Sequence, residues 1–565
     1  MGHGGGLRTI DAVNAQPQAQ ATIDPKGFAG FSYLLGDPQP SQRSKWGEDF
    51  GASRGVMARL AQAMPGDAGW TASLKPGVAL DDNPFIPAGY TYLLQFVAHD
   101  LVQSEMPFWA AADLGVDSAN CRSKGIMLDA LYGGGPVACP SAFEPPLGGS
   151  ANEDEDRTFL RLGRIADAPG ITTACPFRDL ARVNVEKPFT GSTRPLGVSI
   201  VGDSDSVNFP SAHTIEIADE RNDDSVILSQ LTVLFSLAHN IIAAKVQPVR
   251  AEARFAYARA AMLSIYHGII RGDLLQRLLH PAVWRTMNER GAASENWLWQ
   301  GTGLPLEFSH GAFRVGHAMV RSSYILNNKL DQQDVTDVLN HNKSFGGGLR
   351  TPMEANWLVQ WSRFFCLGAT SNYSRRIGPT RSSLDFRDLF PNSGQASSDG
   401  ITFRDLLSAA AARMWSVDAM IRTIMERSPA LIPPGWAFAD STQRRSAVAQ
   451  WLMKIQPIMN CLTANDITAL SDDPPLPLFF LLETGLDPML QGRCMGVLGS
   501  IVVAEVIFKR LALERMRLEM LRTAAQTALP DELALAVGGI DSMPALIQFV
   551  AKFGGLDACA EAPFI

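Results

Sequence analysis

Apolar positions along the chain fall into two regimes. After residue 223 they recur at helical spacing, and in "DDSVILSQLTVLFSLAHNIIAAKV" residues 227, 231, 234, 235, 238, 241 and 242 mark one apolar face. Asp223 or Asp224 is the N-cap that this pattern predicts. Similar spacing predicts helices over 251–274, 274–290, 308–325, 353–368, 402–414, 416–427, 441–458, 477–485, 493–521 and 543–553. Before residue 223 one helix is predicted, over 88–105. The first 80 residues are rich in Gly, Pro, Ser and Gln, and residues 106–215 read as loops, with "YGGGP" at 132–136, "EPPLGGSANEDEDR" at 144–157 and "EKPFTGSTRPLG" at 186–197. So long a loop region is unusual and is generally functional or wraps a core. Strand-like alternation is scarce and no repeat period emerges. The expected fold is mainly α with little β structure: one large helical domain over 81–525, wrapped by long loops, with an irregular arm over 1–80 and a helical extension over 526–565.

Composition narrows the class. Hydrophobic residues make up 46% of the 565 and charged residues 19%, which supports a large core and excludes wholesale disorder. The net charge is −8 and no block of five basic residues occurs, so neither nucleic acid nor an anionic membrane is expected as the main partner. No run of 18 apolar residues is present, so no membrane span is expected. The opening "MGHGGGLRTIDAVNAQPQAQATIDPKG" lacks the apolar centre of a signal peptide. Seven cysteines without CxxC spacing argue against a structural zinc site and for mostly free thiols, although Cys121 and Cys139 could pair across their loop. These features lead us to expect a cytoplasmic protein, or one exported without a cleaved N-terminal signal. They leave the oligomeric state open.

The chemistry starts at "YTYLLQFVAHDLVQ". On a helix Gln95 and His99, four residues apart, share one face, and Asp100 points about 100° away. The segment would present an amide and an imidazole to one cavity and a carboxylate to another. Taken alone, His99 reads as a core histidine satisfied by one hydrogen bond, and Arg221 as the partner of Asp219 or Asp223 at a helix start. His239, in "SLAHNII", also reads as structural. His317 stands beside Gly316 in "HGAFRVGHAMVRSSYILNN". A helical glycine costs about 1 kcal/mol against alanine, so a close approach by something flat and bulky is expected there.

Six segments, in order, resemble the animal-type haem peroxidases, the peroxidase–cyclooxygenase superfamily, in their bacterial form. They are "NPFIPAGYTYLLQFVAHDL", "LDALYGGGP", "ERNDDSVILSQLTVLFSLAHN", "AFRVGHAMVR", "FRDLL" and "PPLPLFFLLETG…GRCMGVLGSIVVAEV", and the likeness spans roughly 80–520. The resemblance implies a haem b whose iron takes His317 as axial ligand, with Gly316 and Arg314 beside it and Asp405 as partner of the imidazole. It implies His99 as the distal base, Gln95 as a lining of the peroxide pocket and Arg221 as the distal arginine. A neutral imidazole can take a proton from peroxide and return it to the leaving oxygen, and a guanidinium can stabilise the charge that develops there.

The sequence also departs from that family. Ala98 stands where many members have a haem-ester aspartate, and Ser225 where one has a haem-linked methionine. Asp224 occupies the position of a second ester-forming carboxylate, usually glutamate, and leaves one ester link open. Asp405 replaces the usual asparagine and is expected to make the proximal imidazole more imidazolate-like. The family's calcium site would fall on Asp100, Ser123, the Gly125 carbonyl and Asp129, but Met127 replaces a common aspartate; calcium stays open, with Lys124 as an alternative source of charge. The implied function is a peroxidase that uses hydrogen peroxide to oxidise a small organic or halide substrate through a ferryl haem, including a specialised biosynthetic role. Two alternatives stand beside it: a fatty-acid dioxygenase of the same superfamily, and a non-catalytic haem-binding protein. The dioxygenase needs a radical tyrosine beside the proximal histidine. Phe313, Arg314, Val315 and Gly316 precede His317, and Tyr324 lies seven residues beyond it.

Overall fold

The computed structural model describes residues 30–104, 107–114, 118–122, 125–145, 157–168, 171, 175–184, 193–194, 198–199, 213–246, 251–290, 297–342, 352–368, 372–386, 400–459, 461–525, 529–556 and 564. Residues 1–29 of the expected arm, and most of the expected loops at 144–157 and 186–197, lie outside them.

The fold is mainly α, as the apolar spacing predicts. Every sheet among the described residues is a two-stranded pair, the longest strand being Asp82–Pro87, antiparallel to Tyr373–Arg375. At the centre runs the helix Val226–Lys245. Its N-cap is Ser225 rather than either aspartate: the Ser225 hydroxyl accepts from the Leu228 amide at 3.2 Å, while Asp223 is drawn into an ion pair with Arg182 at 2.6 Å. The helix is apolar on nearly every side because neighbours cover every side. It packs against the helices Gly89–Leu101, Ala251–Ile269 and Met543–Gly554. It is the one helix among the described residues long and apolar enough to cross a membrane, and 94% of its most apolar window is buried inside the fold.

All thirteen residues of the helix Gly89–Leu101 are buried. Its first turn is anchored twice. The Gly89 amide donates to the Phe364 carbonyl at 3.0 Å, and the Tyr90 hydroxyl reaches Asp273 at 2.8 Å. Asp273 also accepts from Arg277 and from the Met543 amide, both at 2.9 Å, which ties the helix Met543–Gly554 to the core.

Three segments differ from the expected pattern. Within the segment expected as an arm, Phe50–Ala63 forms a helix capped by Asp49 and packed on the helix Ile401–Ala411; its glycines and serine dilute the apolar signal. Residues 353–368 hold only the 3-10 turns Ala355–Trp357 and Trp361–Arg363. Trp357, Leu358, Val359, Trp361, Phe364 and Phe365 are buried there on several sides, so no single apolar stripe fixes a helix. The expected helix 308–325 is a π-turn, Glu307–Gly311, followed by a 3-10 helix, Ala312–Met319, and a strand, Ser323–Tyr324. No disulfide joins Cys121 and Cys139.

A Cβ on Gly89 would lie 2.5 Å from the Phe364 carbonyl oxygen and from the Phe365 ring. Gly89→Ala is therefore expected to lower the unfolding free energy by about 1–3 kcal/mol in urea denaturation. An unchanged midpoint would show that the helix start has room to shift.

Candidate functional site

The site is built around the 3-10 helix Ala312–Met319. Three residues per turn set Arg314 directly behind His317 on one face, and both reach Asp405 on the helix Ile401–Ala411. His317 Nδ1 lies 2.6 Å from Asp405 Oδ2, and Arg314 Nη1 donates to Oδ1 at 3.1 Å. Arg314 Nε donates to the Ser309 carbonyl at 3.0 Å, and the Ser382 hydroxyl to the His317 carbonyl at 2.8 Å. A carboxylate can only accept, so Nδ1 carries the imidazole proton and Nε2 keeps its lone pair. Burial pushes the Arg314 guanidinium down from its ordinary value, and Asp405 opposes that shift.

His317 also lines a cavity between this segment and the helix Gly89–Leu101. Tyr92, Leu94 and Gln95 form the opposite wall. Gln95 is 7% exposed and its Oε1 makes no hydrogen bond within the protein. The close approach expected at Gly316 comes from Leu94: a Cβ on Gly316 would lie 3.0 Å from Leu94 Cδ2. A second cavity adjoins His317 on its Asp405 side and is bordered by Thr380 and Ser382.

His99 lies one turn beyond Gln95 and is not on the cavity wall. Its Nδ1 is 2.9 Å from Asn222 Oδ1, and Asn222 Nδ2 donates to the Ala130 carbonyl at 3.0 Å. The second bond fixes the amide, so its oxygen must accept from His99; again Nδ1 carries the proton and Nε2 the lone pair. Burial, then Arg221, pushes the His99 imidazole down to about 3. Arg221 itself is turned to the end of the helix. Its guanidinium donates to the carbonyls of Val102 at 2.6 Å and His99 at 2.8 Å, and to Asp219 at 2.6 and 3.0 Å. It satisfies helix carbonyls that would otherwise be orphaned in the core, and it holds the backbone of His99 in place. The cavity thus gathers Gln95, Gly316 and His317, while His99 and Arg221 form a second group at the helix end.

Residues 194–359, which include Arg221, Arg314 and His317, match the family model described as animal haem peroxidase. The fold is similar to peroxidase A from Dictyostelium discoideum, with a TM-score of 0.54 at 13% identity over 92% of this chain and 95% of that one. It is also similar to the fatty acid alpha-dioxygenase of Oryza sativa, with a TM-score of 0.50 at 11% identity over 88% of this chain and 79% of that one. No curated protein sequence matches. Residues 194–359 thus resemble the animal haem peroxidase family, and the chain shares its fold with these two structures.

Haem is the group this family binds, and the cavity residues fit it. His317 has a lone pair on Nε2, a fixed tautomer and a carboxylate behind it, the arrangement of a metal-ligating histidine. Gln95 offers an unpartnered buried amide oxygen on the facing wall. Asp224, the candidate for an ester link, is half-buried after the turn Glu220–Asp223 and is not among the residues lining either cavity.

Calcium does not fit the residues expected to hold it. The two Asp100 oxygens accept from the backbone amides of Leu128 at 2.9 Å and Ala130 at 3.2 Å. Leu128 adopts a left-handed φ of 55° to present those amides, a conformation that costs a non-glycine residue about 1–2 kcal/mol. Asp129 faces Arg259 at 3.4 Å, and Gly125 packs beside Arg510. Ser123 and Lys124 lie outside the described residues. Among the described residues no group of three or more His, Cys, Asp and Glu side chains is placed to hold a metal.

Sequence reasoning passed over Asn222, which orients His99, and named Asp219 only as a structural partner of Arg221. Both flank Arg221 in "DERND", so the signal was adjacency to a candidate. It also set Tyr324 apart from the site, whereas Tyr324 packs edge-on against the cavity residue Tyr92, with ring centroids 5.8 Å apart. His239 is structural, bound to the Tyr132 hydroxyl and the Thr158 carbonyl at 2.9 Å each.

The depressed His99 pKa has a consequence for stability. The unfolded chain gains a proton at this residue as pH falls through 6.5, whereas the folded chain stays neutral until about 3, so stability is full above 6.5 and falls below it. Between pH 7.5 and 5.5 the parent should lose about 1.4 kcal/mol more unfolding free energy than His99→Gln, by urea denaturation. Equal losses in the two proteins would show that His99 titrates normally.

Proposed function

We propose that this protein is a haem-dependent peroxidase that uses hydrogen peroxide to oxidise a small organic or halide substrate. The observation that carries this reading is the facing pair across one cavity: the His317–Asp405 couple on one wall and the buried Gln95 amide on the other. Haem, when bound, would supply the redox-active iron at which peroxide is reduced. His317 would hold it through Nε2, with Asp405 fixing the ring. Gln95 would accept a hydrogen bond from peroxide in the cavity. His99, about 6 Å further along the helix, would take the peroxide proton on Nε2 and give it to the departing oxygen. An imidazole with so low a pKa is a weak base but returns its proton readily once charged. Arg221 is a positioning residue in this reading, since its donors are spent on Asp219 and the helix carbonyls. A storage protein would have no use for a neutral histidine of fixed tautomer beside the cavity.

One observation favours the dioxygenase as a second reading. Tyr92 is a phenol on the cavity wall, so the missing tyrosine before His317 does not leave the site without one. Oxygen uptake with a long-chain fatty acid, lost in Tyr92→Phe, would support that reading over the first.

His317→Ala is expected to lose stoichiometric haem, read from the Soret absorbance. His99→Ala should keep haem but react with one equivalent of peroxide about 10²–10⁴-fold more slowly. A parent protein that takes up no haem, or whose haem spectrum ignores peroxide, would sink the proposal. Asp405→Asn should raise the Fe(III)/Fe(II) potential of the bound haem, because an amide pulls the His317 proton less strongly than a carboxylate. An unchanged potential would mean that Arg314 already neutralises Asp405.

A further inference from the structure

The fold family implies a calcium ion at the end of the Gly89–Leu101 helix, yet Asp100 and Asp129 are already satisfied by protein groups. A third carboxylate, Asp219, lies in the same region, and all three are buried. Among them sits Arg122. Its guanidinium pairs directly with Asp219, and its side chain is 14% exposed. Arg221 binds the same carboxylate at 2.6 Å, and Arg259 faces Asp129 at 3.4 Å. Two guanidinium groups thus meet Asp219 and one faces Asp129, while the oxygens of Asp100 accept from backbone amides. Burial works against the Arg122 charge, and Asp219, Asp100 and Asp129, in that order, outweigh it.

We infer that Arg122 is a built-in counter-cation that replaces the family's metal ion and clamps residues 118–122 to Asp219 at the C-terminal end of the Gly89–Leu101 helix. A divalent cation gathers carboxylates by charge and must be bound from solution, so its sites depend on metal concentration. A guanidinium is always charged and arrives with the chain. The clamp continues through Asp219 and Arg221 to the carbonyls of His99 and Val102, so the placement of His99 does not depend on a metal. The inference is independent of the proposed peroxidase activity and is read without it.

The test uses the full chain dialysed against a chelator. Calcium titrated into the parent in a calorimeter should give no binding heat, and Tm should be the same in EDTA and in millimolar calcium chloride. Stoichiometric calcium binding, with Tm raised by several degrees, would overturn the inference. Arg122→Gln should lower Tm in EDTA and gain a calcium response, because three buried carboxylates then share two guanidinium groups. Arg122→Lys keeps the charge and should stay insensitive to calcium; a response there would overturn the inference, and this variant carries the test if Arg122→Gln does not fold. A folded Arg122→Gln with no calcium response would also overturn it.

Discussion

The helix Gly89–Leu101 has no exposed residue, so every polar group on it must be satisfied from inside the fold. That constraint organises much of the molecule. Tyr90 reaches Asp273 and through it the C-terminal helix; Asp100 is met by two amides of the Leu128 turn; the last carbonyls are met by Arg221. The oxygens of Thr91 and Gln95 are left over, and both residues line the cavity that His317 lines. An unsatisfied buried amide is costly, and proteins retain such groups where a ligand supplies the missing partner.

The two histidines of the site are prepared by the same device. Each has its Nδ1 proton held by an oxygen that cannot turn away, because a second bond fixes that oxygen: Arg314 on Asp405, and the Ala130 carbonyl on Asn222. Each is thereby left with a lone pair on Nε2. The acceptors differ in charge, and so does the consequence. A carboxylate behind His317 strengthens it as a donor to a metal, whereas a neutral amide behind His99 leaves it uncharged in a buried place. The 3-10 geometry of residues 312–319 aligns Arg314 with His317, which an α-helix would leave about 60° apart on one face.

Much of this was legible beforehand. The contact of His317 with Asp405 and the mainly helical fold follow from family likeness and local spacing, whereas Gln95 lines the cavity without His99, which their spacing had placed beside it. Arg221 was legible in two ways, as a distal cation or as the partner of Asp219. Its donors lie on Asp219 and on the carbonyls of His99 and Val102. Sequence spacing cannot separate those readings, because the choice depends on where the chain end of another helix comes to rest.

The sequence by itself determined the long apolar helices, such as Gly89–Leu101 and Val226–Lys245, because their period is written within one stretch of chain. Tertiary structure alone decided the rest: that Asn222 and Asp219 orient the distal group, that Tyr324 returns to the cavity through Tyr92, that residues 50–63 find a helical partner in 401–411, and that Arg122 stands among three carboxylates. These are contacts between residues far apart in sequence. Their energies depend on distance and desolvation, and neither quantity exists until the chain has folded.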